Sequence, residues 1–176
     1  MGISPINPIG SQYSASNQQQ SDWNQIQFGL TSLLAYYAMV AQYISPSGQS
    51  QFVNEEMKLE DEVKNQTITP SQATAQLNQL IDQLNKEIPS QYAYPNDFAV
   101  GNVTQQINAL LAFISLALPS PQSGQFEKQV QSILTQLQNG TLSPKQAMAD
   151  LLPIVQQIDT IGNNTFPYPN PANYPT

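Results

Sequence analysis

The chain has 176 residues, 40% of them hydrophobic, which suffices for one domain or two very small ones with a real core. Its net charge is −7, its five basic residues are all lysines (Lys58, Lys64, Lys86, Lys128, Lys145), and it has no Arg, His or Cys. Phosphate neutralisation needs clustered cations and anionic lipid needs a polybasic face, so neither nucleic acid nor such a membrane is an expected partner, and thiolate chemistry, disulfides and Cys-based zinc sites are excluded.

Residues 1–20, MGISPINPIGSQYSASNQQQ, are expected to form an extended N-terminal arm. They show no basic start, unbroken apolar core or cleavage site of a secretory signal, and Ile6 stands where myristoylation requires Ser or Thr. The next run, FGLTSLLAYYAMVAQYI from Phe28 to Ile44, is the most apolar in the chain. It sits at the lower limit for a bilayer span and lacks cationic flanks, which favours a buried core helix over membrane contact. Trp23, Ile26, Leu30, Leu33, Leu34, Tyr37, Val40 and Ile44 recur at helical steps, and Phe28, Ala35, Tyr36, Met39 and Tyr43 cover much of the other side. A helix apolar nearly all round belongs at a bundle centre.

A second helix opens near Phe52 with a thinner stripe, Phe52, Leu59 and Val63, and is expected at the surface. It carries the densest acidic group, NEEMKLEDEVK, with Glu55, Glu56, Glu60, Asp61 and Glu62. Paired carboxylates of this kind can hold a divalent cation or act as an acid and base pair. Interleaving with Lys58 and Lys64 instead describes a solvated face, and Glu56 and Glu60 are read as neighbours on its outer side.

TPSQATAQLNQLIDQL, from Thr69 to Leu84, and SPKQAMADLLPIVQQI, from Ser143 to Ile158, lie seventy-four residues apart and share their punctuation. In each a hydroxyl residue (Thr69, Ser143) precedes a proline, and Gln72 or Gln146 follows where a capping box requires it, so each opens a helix. Asn65 and Thr67 match Asn139 and Thr141, SPSGQSQF resembles SPQSGQF, and LLAY from Leu33 resembles LLAF from Leu110. Colinear agreement of loops and helices points to an internal duplication of about 75 residues, each copy carrying three helices. The second copy then offers an apolar helix from about Val103 to Leu118, a stripe of Phe126, Val130, Ile133, Leu134 and Leu137, and a last helix that Pro153 interrupts.

The expected fold is all-α: about six helices in one compact domain, as tandem repeats over 21–88 and 103–161, joined by a linker over 89–102 and ending in an arm over 162–176. The linker, which contains IPSQYAYPNDFAVGN, is a connection or a loop packed across the bundle. The arm, GNNTFPYPNPANYPT, favours polyproline II or extended geometry. It is either free in solvent or docked, on the bundle or on a neighbouring copy, through Phe166, Tyr168 and Tyr174, the candidate interaction residues. Asn65, Asn102, Asn139 and Asn163 head Asn-x-Thr sequons and are candidate glycosylation sites if the protein is exported.

No catalytic, cofactor-binding or metal-ligating residue is assigned. Without His or Cys the usual proton shuttles and nucleophile pairs are missing, and no phosphate loop, Rossmann glycine pattern or EF-hand spacing occurs. Only 10% of residues are charged, against about 25% in ordinary domains, and 26 glutamines supply much of the polarity. Amides make stability less dependent on pH than ions do, and Gln keeps most of the helix propensity of Glu. The expected role is a non-enzymatic structural subunit in an extracellular or virion assembly, made in the cytoplasm and suited to a hot or acidic exterior, whose partners are copies of itself and other structural proteins. A helical protein-binding or adaptor module is the alternative. In composition the chain resembles capsid or surface-layer components of extremophilic archaea and their viruses, a likeness that carries no motif.

Overall fold

A computed structural model describes the backbone of residues 9–163 and 167–174, and side chains from residue 17 onward. Six α-helices account for most of it, and no strand occurs among the described residues: α1 Ile9–Val40, α2 Pro46–Lys64, α3 Pro70–Glu87, α4 Val103–Ala117, α5 Gln122–Gln138 and α6 Pro144–Ile161. The all-α bundle is as the periodicity predicts. One expectation is corrected. From Ile9 onward the N-terminal segment is helical, not extended, because no proline interrupts the backbone between Pro8 and Pro46 and Gln is a good helix former. Among the described side chains burial begins near Trp23, and Asn17 to Gln20 are exposed.

The capping signals act as their chemistry requires. Thr69 Oγ1 accepts the Gln72 N–H at 3.2 Å while Gln72 Oε1 accepts the Thr69 N–H at 2.9 Å, a complete capping box. At the matching position before α6 Ser143 Oγ accepts the Gln146 N–H at 3.2 Å, and the reciprocal half of the box is not formed. The preceding turns agree bond for bond. Asn65, Gln66 and Thr67 donate to the carbonyls of Asp61, Val63 and Glu62, and Asn139, Gly140 and Thr141 donate to those of Thr135, Leu137 and Gln136. This is a Schellman closure, with Gln66 and Gly140 at positive φ (52° and 72°). Glycine adopts that conformation freely; Gln66 does so at a cost. Pro153 lies inside α6 on its exposed side, where its missing N–H faces solvent and the helix continues to Ile161.

α1 and α4 pack on each other at the centre, α2 and α3 gather on α1, and α5 and α6 on α4. The halves do not use their helices identically, since α1 rests mainly on α3 whereas α4 rests mainly on α5. Ile26, Leu33, Leu77, Ile81, Ile107, Leu110, Ile114 and Leu151 are among the fully buried side chains between these layers. α2 and α5 contribute thinner stripes, Phe52, Leu59 and Val63 in one and Phe126, Val130, Ile133 and Leu134 in the other.

Candidate functional site

Two extended segments lock the helices together, and the aromatic residues singled out at the C-terminus belong to one of them. The linker after α3 runs back along α1 instead of looping into solvent. Asn85 on α3 engages both backbone polar groups of one residue, accepting the Tyr94 N–H at 2.7 Å and donating Nδ2 to the Tyr94 carbonyl at 2.9 Å. Two helical turns earlier Asn78 does the same to Phe98, both bonds at 2.9 Å. Amide side chains are suited to this task because each carries one acceptor and two donors. Gln105 Nε2 on α4 donates to the Pro95 carbonyl at 2.9 Å, Tyr36 donates to the Tyr92 carbonyl, and the Gly101 N–H donates to Gln25 on α1. Of the two linker readings, the packed loop is the one observed.

The C-terminal segment repeats part of this arrangement. Tyr168 donates its N–H to Asp159 Oδ1 at 3.0 Å, and Asp159 stands seventy-four residues after Asn85 as Tyr168 does after Tyr94. The rings repeat it too. Tyr94 meets Tyr36 on α1 with centroids 5.0 Å apart and planes tilted 56°, and Tyr168 meets Phe113 on α4 at 5.1 Å and 54°. Tyr36 and Phe113 are the last residues of the LLAY and LLAF matches. Apart from single 3-10 turns at Ser90–Tyr92 and Pro171–Asn173 neither segment is helical, so α-helical periodicity does not reach this pair; the signal that marks it in the sequence is Tyr-Pro-Asn, at Tyr94 to Asn96 and again at Tyr168 to Asn170.

Tyr168 and Tyr174 are therefore core residues, 4% and 3% exposed, and both set an edge against Phe28, at 6.4 and 5.3 Å. They are not available to a neighbouring copy in this arrangement, which assigns the docking of the arm to its own bundle. Phe166 lies outside the described residues.

Burial governs the chemistry of these phenols. The hydroxyl of Tyr36 is pushed up to about 12 by desolvation and by nearby Tyr92, and that of Tyr174 to about 12 by desolvation. Tyr94 is raised well above the ordinary range by burial, then by Tyr168 and Tyr36, and Tyr168 is raised by burial. All four stay neutral at ordinary pH. The hydroxyls of Tyr94, Tyr168 and Tyr174 form no hydrogen bond within the protein; Ser32 lies beside Tyr168 and gives its proton to the Phe28 carbonyl at 2.8 Å, and the Gly101 N–H lies beside Tyr174 and donates to Gln25. Neutral buried phenols with no base beside them act as packing, not as acid–base groups.

The acidic group on α2 needs one correction. Glu60 and Asp61 are exposed, Glu55 and Glu62 are half-buried with Lys58 and Glu62 3.9 Å apart, but Glu56 is not on the outer face: it is only 5% exposed. Its register explains this, since Phe52, Glu56, Leu59 and Val63 form one helical stripe facing α1 and α3. Burial, and then repulsion from Glu60, push its carboxyl up to about 7. Among the described residues no group of three or more carboxylates converges in a way that would hold a metal ion, and no helix is long and apolar enough to cross a membrane.

The sequons fall in different settings. Asn65 and Asn139 close α2 and α5 at exposed turns, and Asn163 is exposed with φ 52°. Asn102 caps α4, accepting the Gln105 N–H at 3.2 Å and donating Nδ2 to the Asp97 carbonyl at 3.1 Å, so its amide nitrogen is engaged. Compared with known protein families, with characterised proteins and with solved structures, the chain matches none.

Proposed function

We propose that the protein is a non-enzymatic structural subunit that self-associates through its helix faces in an extracellular or virion assembly. The observation that supports this best is the outer face of α2, where Val53 and Met57, one turn apart, are 38% and 60% exposed. Tyr43 and Ile161 add exposed apolar surface elsewhere. Met57 is flanked by Lys58, Glu60 and Asp61, but over the rest of the surface the helices present mainly amides and hydroxyls, which exchange water for each other at much lower cost than ions do. Tyr168 and Tyr174 are engaged at home, so the intermolecular contacts are assigned to helix faces and not to these two tyrosines. A net charge of −7 opposes contact between copies near neutral pH, and protonation of carboxylates removes that opposition, so association strengthens in acid.

Light scattering and negative-stain microscopy across pH test this on the wild type and on a Val53→Lys, Met57→Lys double variant. Large regular assemblies that the double variant cannot form are expected. A monodisperse monomer at every concentration and pH, or assembly unaffected by the two lysines, sinks the proposal. The adaptor alternative draws on a cleft of about 210 Å³ lined by Ile44, Phe52, Gln83, Leu84 and Glu87, and a stable monomer that captures an apolar probe there favours it.

A further inference from the structure

Glu56 occupies a position that the second half of the molecule fills with an apolar side chain. Phe52 and Phe126 head the inward stripes of α2 and α5, seventy-four residues apart, and the same offset carries Glu56 to Val130 and Leu59 to Ile133. Val130 is wholly buried and Glu56 is 5% exposed. A valine thus satisfies the fold at this register, and the carboxyl is an addition the packing does not require.

Nothing around it compensates for its charge. Its Oε1 is buried without a hydrogen-bond partner. From α3 the inward side chains are Ala73, Leu77, Leu80, Ile81 and Leu84, while the charged residues of that helix, Asp82, Lys86 and Glu87, are all exposed. α1 carries no charged residue between Trp23 and Val40, and its titratable groups there are Tyr36, whose hydroxyl is committed to Tyr92, and Tyr37, which stacks on Phe52 at 4.3 Å. On α2 itself the group felt most strongly is Glu60, of like sign; Lys58 pairs with Glu62, and Lys64 is exposed at the helix end.

We propose that Glu56 makes the seating of α2 depend on pH: protonated, it takes the place that Val130 takes in the other half, and ionised, it loosens α2 from α1 and α3. The pH window follows from its carboxyl, at the ordinary 4.5 in the unfolded chain and about 7 when folded. Below the lower value both states are protonated and the full packing is retained. Between the two the unfolded chain ionises first, so stability falls as pH rises, and above about 7 the loss is complete. The inference rests on the fold alone and stands or falls independently of self-association.

Thermal unfolding of the full chain from acid to slightly alkaline pH tests it, at a protein concentration where it is monomeric, with Glu56→Gln, Glu56→Val and Glu60→Gln compared with the wild type. The wild-type midpoint is expected to fall as pH rises through the window. Glu56→Gln and Glu56→Val should lose most of that slope and unfold at a higher temperature than the wild type above its upper end, whereas Glu60→Gln, which removes only the lesser cause, should keep most of the slope. Hydrogen exchange, corrected for intrinsic rates, should show α2 amides losing protection above the window while those of α5 do not. A wild-type slope preserved in Glu56→Gln, or α2 and α5 losing protection together, overturns the proposal; if Glu56→Gln folds poorly, Glu56→Val alone decides it.

Discussion

Asp159 accepts the backbone N–H of Tyr168 at 3.0 Å in the position where Asn85 accepts that of Tyr94 at 2.7 Å, so one contact fastens both extended segments to the helix before them. Burial raises the Asp159 carboxyl, and the bond from Tyr168 opposes this only in part. A raised carboxyl favours the folded state most in acid, and the benefit is lost as pH rises. Asp159→Asn, the residue the first half uses, should therefore keep the fold and be more stable than the wild type near neutral pH, by unfolding midpoint. Asp159→Ala should cost about 1 kcal/mol at low pH, where the carboxyl is protonated and only the bond is lost. If Asn is as damaging as Ala, the bond is not what holds the segment.

Removal of residues 167–176 should destabilise the bundle and not merely trim a tail. It withdraws two buried tyrosines from Phe28 and Phe113, and truncating one large buried aromatic to alanine costs about 3–5 kcal/mol. Urea unfolding of the truncated chain, and of Tyr168→Ala, should show a loss of that order. An unchanged midpoint would falsify the docked position of the segment.

Tyrosine hydroxyls in the core divide into two classes that mutation separates. Tyr36 donates to the Tyr92 carbonyl, so Tyr36→Phe leaves that acceptor with one partner fewer and should cost about 1 kcal/mol. Tyr94 and Tyr168 have hydroxyls without a protein partner, and Tyr94→Phe and Tyr168→Phe should be neutral or stabilising, since a desolvated group that makes no bond is removed. Thermal midpoints of the three single variants check the contrast.

Two helix glycines should respond to alanine with opposite signs. A Cβ at Gly29 would overlap the Phe98 ring, held in place by Asn78, so Gly29→Ala should destabilise despite its better helix propensity. A Cβ at Gly124 in α5 meets nothing within 4 Å, and Gly124→Ala should gain about 0.5–1 kcal/mol. Equal effects at both sites would mean that the linker does not lie against α1.

The helix starts at Thr69 and Ser143 and the helical stripes were legible in the residues, because each depends on contacts within a few positions of the chain, although the reciprocal half of the second capping box is not formed. Thr69 and Ser143 announce their helices by local hydrogen bonding, and Leu77, Leu80, Ile81 and Leu84 announce their buried face by spacing alone. Glu56 shows where a local pattern misleads. Its neighbours Lys58, Glu60 and Lys64 describe a solvated helix, yet burial follows the register of Phe52, Leu59 and Val63. That register was present in the sequence, and a charge lying on it reads as an exception until the packing of α2 on α1 and α3 is known.

By itself, then, the sequence determined six helices, the caps of two of them, their apolar faces and the recurrence of parts at a fixed spacing, since propensity and periodicity are properties of short stretches of backbone. Only the tertiary structure decided that the linker and the C-terminal segment belong to the core, that Tyr94 and Tyr168 meet equivalent rings in the two halves, and that Glu56 is buried. An extended segment has no helical period to reveal its buried side, and its backbone is satisfied in part by side chains such as Gln25 and Tyr36 that chain distance separates from it. Those pairings come into being only when helices distant in sequence close around one interior.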